Sequence, residues 1–170
     1  NLGAEPLAGL IGRIVKGKGP EDFLRAASFV IQSKPDVKFL IVGCDPSQEQ
    51  ALYRHLLQLT ETLGLNNHVI FTGWRDDVRA IMAELSLVVQ ASTYPEGLGT
   101  TTLEAMGLAK PVIGTRIAGT TDLIVHGRTG CLVEPGDFQS MAKSIVTLLE
   151  EPSLCRKLGE EGYKRAKELF

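Results

Sequence analysis

Six short apolar runs punctuate this chain, with helix-patterned segments between and after them. The runs are Leu7 to Val15, Val37 to Gly43, His68 to Gly73, Leu87 to Ala91, Lys110 to Thr115 and Gly130 to Val133. After the first run, Phe23, Ala26, Ala27, Val30 and Ile31 fall on one helical face; Leu52, Leu56, Leu59 and Leu63 do the same after the second. Val78, Ile81, Met82 and Leu85 form a shorter apolar stripe after the third. Pro20 suits a first helical position; Asp45 and Pro46 are expected to cap and open the second helix, Gly64 to end it, and Asp76 to cap the third. Further helices are expected over Leu103 to Ala109, Gly119 to Val125, from Asp137 to near Glu150, and from Pro152 onward. Strands separated by helices need crossover connections, which produce a parallel sheet covered on both faces. The expected fold is α/β: one doubly wound, Rossmann-like domain over residues 1–170.

Size and charge narrow the function classes. A chain of 170 residues is one domain by length and large enough to bury a core. A net charge of −2, 6% aromatic residues and no basic stripe argue against a nucleic-acid partner. No apolar run reaches the length of a membrane span, and no signal-peptide pattern opens the chain. Cys44, Cys131 and Cys155 are scattered and odd in number, which fits reduced thiols in a cytoplasmic protein better than a disulfide framework. The chain begins at Asn1 without an initiator Met and stops at Phe170 inside a helical pattern, so a piece of a longer protein is expected.

Chemistry concentrates after the fourth run, in Glu96-Gly97-Leu98-Gly99-Thr100-Thr101-Thr102-Leu103-Glu104-Ala105-Met106. Two carboxylates, good acceptors for sugar hydroxyls, bracket a glycine loop that feeds a helix N-terminus, which suits a phosphate. Gly97 and Gly99 either form a turn or let backbone amides approach an anion. Thr100 to Thr102 either cap the helix or donate to phosphate, and Glu104 either complements the helix dipole or accepts from ribose hydroxyls. At the end of the first run stands Gly12-Arg13-Ile14-Val15-Lys16-Gly17-Lys18-Gly19. Arg13 with its planar fork and Lys18 with its compact charge would neutralise a diphosphate, unless both are merely solvated surface cations.

Other chemistries fit less well. Gly12 to Gly19 nearly matches a Walker A loop, but Gly19 stands where Ser or Thr would hold Mg²⁺, and Pro20 follows. Thr102 occupies the last glycine position of a dinucleotide fingerprint after Gly97 and Gly99. His55, His68 and His126 show no metal-ligand spacing, and there is no Asp-x-Asp pair; no metal site or cofactor is expected. Trp74 and Arg75 either border a nucleotide base or pack at a sheet edge.

With these residues in place, the chain resembles the C-terminal, donor-binding domain of the group 1 (family 4) retaining glycosyltransferases of the GT-B fold. The resemblance spans nearly the whole chain. It rests on Gly12-Arg13…Lys18-Gly19, Val69-Ile70-Phe71-Thr72-Gly73, Glu96-x7-Glu104 with Leu103-Glu104-Ala105-Met106, Lys110-Pro111-Val112-Ile113 and Gly127-Arg128-Thr129-Gly130-Cys131-Leu132-Val133. It implies a nucleoside-diphosphate sugar donor, UDP- or GDP-linked, held by Gly12, Arg13, Lys18, Glu96, Gly97, Leu98, Gly99, Thr100 and Glu104. Arg13 and Lys18 would contact the diphosphate, Glu96 the transferred sugar and Glu104 the ribose; Arg13, Lys18 and Glu96 would serve the reaction, with retention of anomeric configuration. The resemblance also implies an N-terminal acceptor domain as a partner, through which alone a membrane would be touched. Leu98 stands where the family usually has Phe, and Ala118 and Asp122 where it usually has Gly and Glu. A non-catalytic GT-B scaffold and half of a sugar-nucleotide epimerase are the competing alternatives.

Overall fold

A computed structural model describes residues 5–48 and 50–169; Asn1 and Phe170 lie outside the described residues. Six parallel strands form one sheet in the order β3-β2-β1-β4-β5-β6. They are β1 (Leu7–Ile11), β2 (Lys38–Val42), β3 (Val69–Gly73), β4 (Leu87–Gln90), β5 (Val112–Thr115) and β6 (Cys131–Val133). Among the described residues seven α-helices accompany them: α1 (Pro20–Val30), α2 (Ala51–Thr62), α3 (Val78–Glu84), α4 (Thr100–Gly107), α5 (Thr120–Leu123), α6 (Phe138–Glu150) and α7 (Pro152–Leu169). This is the doubly wound α/β arrangement that the alternating pattern predicts.

Strand side chains alternate between two cores. In β1, Ala8 and Leu10 join Phe23, Leu24 and Ala27 of α1, Leu56 of α2 and Met141 and Ile145 of α6. Leu7 and Ile11 point the other way, toward Met82 of α3, Ala105 and Met106 of α4 and Leu123 of α5. The last helix serves both: Leu158 belongs to the first core and Ala166 to the second. Phe23 packs edge-on against Phe39 with ring centroids 5.7 Å apart, pinning α1 to β2.

Several element ends differ from expectation. The first strand stops at Ile11 because Gly12 turns away at φ +146°, and residues 16–18 form a single 3-10 turn. Asp45 is not the N-cap residue of α2, since the helix begins only at Ala51 after Gln50, but its carboxylate accepts from Ser47 N (2.8 Å) in the loop and from the first-turn amide Tyr53 N (3.3 Å) of the helix. Asp76 does not cap α3 either. Asp77 holds that position, and its carboxylate is taken by Arg75 at 2.8 and 2.7 Å. Asp137 does cap α6, accepting from Ser140 N at 2.9 Å. Replacing Asp137 by Ala should therefore cost about 1 kcal/mol in urea denaturation, while Asp76→Ala should stay within about 0.5 kcal/mol of wild type.

Candidate functional site

Strand order reverses between β1 and β4, which pair side by side although two strands separate them in sequence. Such a switch point opens a crevice at the carboxyl ends of the strands. Its walls here are residues 12–19 after β1 and residues 91–99 after β4.

The two walls are pressed together by missing side chains. Thr93 N donates to the Gly17 carbonyl at 2.9 Å. A Cβ on Gly17 would overlap the Tyr94 ring, and one on Gly19 would overlap the Ala91 carbonyl oxygen. This closeness lets Lys18, on the 3-10 turn, reach Glu96 across the crevice: Lys18 Nζ donates to Glu96 Oε1 at 2.5 Å and to Oε2 at 2.6 Å. Both side chains are shielded, 20% and 13% exposed. The glycines of the first loop thus act by permitting contact between loops.

Glu96 has further partners. Gln90 Nε2 donates to Oε1 at 2.9 Å, and the Ser92 hydroxyl donates to the same oxygen. Burial pushes the Glu96 carboxyl up, but hydrogen bonds from Lys18 and Ser92, the Lys18 charge and the Gln90 amide outweigh it. Glu96 therefore titrates below the ordinary glutamate range.

The rest of the Glu96 loop is anchored by the β5–α5 connection. Glu96 N donates to Ala118 O at 3.0 Å, and Gly119, at φ +85°, lies so close that a Cβ there would sit 2.6 Å from Glu96 O. Asp122 accepts from Gly119 N at 3.1 Å, so this shorter acid closes the start of its own helix. Gly97 is exposed and a Cβ there would meet open space; Leu98 is exposed as well. Gly99, at φ +62°, is the N-cap of α4 and brings no side-chain cap. The helix starts at Thr100, three residues earlier than the expected Leu103, so its first amides face the end of the Glu96 loop. No threonine caps it. Thr100 is exposed at the helix start, whereas Thr102 is fully buried with its hydroxyl unpartnered among the described residues.

Arg13 is exposed beside Gly12 and has no ion pair or side-chain hydrogen bond among the described residues. Gly12 N donates to Val42 O at 2.9 Å, so Arg13 follows directly on the carboxyl edge of the sheet. Glu104 lies one turn into α4, exposed, on the wall of a cavity of about 430 Å³ shared with Val78, Arg79, Met82, Gly107 and Leu108. That cavity opens between α3 and α4, and neither Lys18 nor Glu96 lines it. Trp74 does not pack at the sheet edge; it is 72% exposed just past β3. Among the described residues no group of three His, Cys, Asp or Glu is arranged to hold a metal ion.

The sequence does not single out Gln90 or Ser92, both buried against Glu96, or buried Thr115, whose hydroxyl donates to Ser92 O. The one available signal was a side-chain amide closing an otherwise apolar strand, where it must find hydrogen bonds.

Comparison with known proteins places this geometry. A family model described as glycosyl transferases group 1 matches residues 2–165. The Staphylococcus aureus capsular polysaccharide biosynthesis glycosyltransferase CapM is 32% identical over 162 residues, covering 95% of this chain and 41% of CapM. The N-acetyl-alpha-D-glucosaminyl L-malate synthase of Bacillus anthracis is 33% identical over 94% of this chain and 40% of its own length. Among solved structures, Anabaena Alr3699/HepE in complex with UDP and glucose superposes with a TM-score of 0.94 and 31% identity, over 100% of this chain and 45% of HepE. The C-terminal domain of a group 1 family glycosyl transferase, LpcC from Francisella tularensis, gives 0.88 at 30% identity, over 96% of this chain and 85% of that domain. The chain thus spans about two fifths of the length of these curated relatives.

Proposed function

The chain belongs to the group 1 glycosyl transferases, and from that premise we propose that it is the donor-binding half of a GT-B enzyme. The whole protein would transfer a sugar from a nucleoside-diphosphate sugar to an acceptor with retention of anomeric configuration. An N-terminal acceptor domain would complete it. The observation that carries the proposal is the meeting of Lys18 and Glu96 at the β1/β4 switch point, beside the uncapped start of α4. UDP bound in the HepE complexes supports a nucleotide donor.

In this reading the diphosphate sits among Lys18, Arg13 and the first amides of α4. As the bond to the anomeric carbon breaks, negative charge grows on the departing phosphate. Preplaced cations and amide dipoles then bind the transition state more strongly than the ground state. They supply the field that a metal ion would otherwise provide. Glu96 accepts from a sugar hydroxyl and orients the ring; it is not assigned as a nucleophile. Glu104 accepts from the ribose, with the nucleoside reaching toward the cavity between α3 and α4. The three free thiols fit a reducing compartment, and we place the reaction in the cytoplasm. No described helix is long and apolar enough to cross a membrane.

The 170-residue chain is expected to bind UDP or GDP weakly and to transfer no sugar at an appreciable rate. Because Arg13 is exposed and unpartnered, Arg13→Ala should leave thermal unfolding unchanged. It should weaken nucleoside-diphosphate binding roughly tenfold to hundredfold in a calorimetric titration. Equal affinity in the variant would defeat the assignment of Arg13.

A further inference from the structure

Glu96 is held unevenly. Among the described residues Oε2 has a single partner, the Lys18 ammonium, whereas Oε1 receives Lys18, the Gln90 amide and the Ser92 hydroxyl. Gln90 and Ser92 are 3% and 0% exposed, and both belong to the β4 side of the crevice, opposite the loop that carries Lys18. Gln90 ends the central strand β4, in register with Gly114 of β5. Gln90 Nε2 also donates to Ser92 Oγ at 3.1 Å, which orients the serine proton toward Glu96. From the other side, Thr115 Oγ1 donates to Ser92 O at 2.6 Å. The outcome is a buried, directional chain from Gln90 through Ser92 to one oxygen of one carboxylate.

A bound diphosphate competes with Glu96 for the same ammonium. If Lys18 swings to the phosphate, a shielded carboxylate loses its only cation among the described residues, and burial alone would drive it toward protonation. Two neutral donors, Gln90 at the end of β4 and Ser92 buried just after it, do not leave with the lysine. We infer that Gln90 and Ser92 are positioning residues that keep Glu96 ionised and aimed once Lys18 engages the donor, so that Oε2 is the oxygen presented to the sugar. The inference rests on the donor-binding role proposed above, and it adds two residues that act on the sugar only through Glu96.

Two measurements test it. In the first, the Glu96 carboxyl is titrated by carbon NMR in Glu-labelled chain, assigned with Glu96→Gln, without any nucleotide. In a Lys18→Met background, adding Gln90→Met and Ser92→Ala should raise its midpoint by about one pH unit or more. An unmoved midpoint overturns the inference. In the second, UDP is compared with UDP-glucose, and GDP with GDP-mannose, on wild-type and Ser92→Ala chains. Ser92→Ala should hold the nucleoside diphosphate within about twofold of wild type and lower the preference for its sugar-linked form about tenfold. Equal losses for both forms would make Ser92 a general structural residue and overturn its positioning role. Failure of the wild-type chain to bind either diphosphate would instead defeat the donor-binding role, while the NMR titration still decides whether the pair governs Glu96. Ser92→Ala only removes an oxygen, and thermal unfolding of each variant confirms that the fold persists.

Discussion

Lys18→Ala is expected to weaken UDP or GDP binding roughly tenfold to hundredfold, about 1.5–3 kcal/mol, and to destabilise the unliganded chain as well. The two effects have one origin. Among the described residues Lys18 is the only cation on a shielded carboxylate, so its removal would cost the proposed phosphate contact when ligand is present and strand Glu96 when it is absent. Breaking one side of such a pair is more damaging than breaking an exposed one, since the remaining acid has little water to fall back on. We expect a loss of about 1–3 kcal/mol in urea denaturation at neutral pH, with Lys18→Ala/Glu96→Gln recovering part of it.

The pH dependence has a definite sign. Glu96 ionises more readily in the fold than in the unfolded chain. Its contribution is therefore complete above the ordinary carboxylate range and disappears as pH falls through the lowered folded value. The stability gap between wild type and Lys18→Ala should be widest near neutrality and should close in strong acid. A gap that persists unchanged there would mean that Lys18 stabilises the fold through something other than Glu96.

The architecture was legible in the sequence because short continuous apolar runs alternate with stripes of period near four, as buried parallel strands and their crossover helices require. What escaped was fixed by contacts distant in sequence. Asp45 and Asp76 each precede a helix, as a cap would, yet Asp45 reaches the first turn of α2 at Tyr53 N from six residues before the helix, and Arg75 takes Asp77, the residue that occupies the cap. Glu96 and Lys18 were recognisable as neighbours of one crevice, but their direct pairing depends on loops 78 residues apart touching. Thr102 matched a phosphate-donor pattern in the chain, and only the helix's rotation shows it buried. Gln90 and Ser92 looked like the end of a strand because their role lies entirely in what they touch.

The glycines of the first loop give the largest stability prediction, since they explain why that touching is possible. Gly19 sits at φ +66°, caps the 3-10 turn and opens α1, with its carbonyl accepting from Phe23 N at 3.1 Å. An alanine there meets two separate costs: the left-handed backbone, and overlap with the Ala91 carbonyl oxygen just past β4. Ala91 follows a central strand and cannot retreat without disturbing the core. Gly64 supplies the control, because it has nearly the same φ, +68°, but open space where a Cβ would go. Gly64→Ala should cost about 1 kcal/mol from conformation alone. Gly19→Ala should cost about 3 kcal/mol or more, lowering Tm by roughly 6–12 °C for a chain of this size. It should also push the 12–19 loop away from Glu96, so the Glu96 carboxyl would titrate higher even though Lys18 is still present. Equal destabilisation by the two substitutions would show that the loops have room to separate, and the close approach that brings ammonium to carboxylate would no longer account for either glycine.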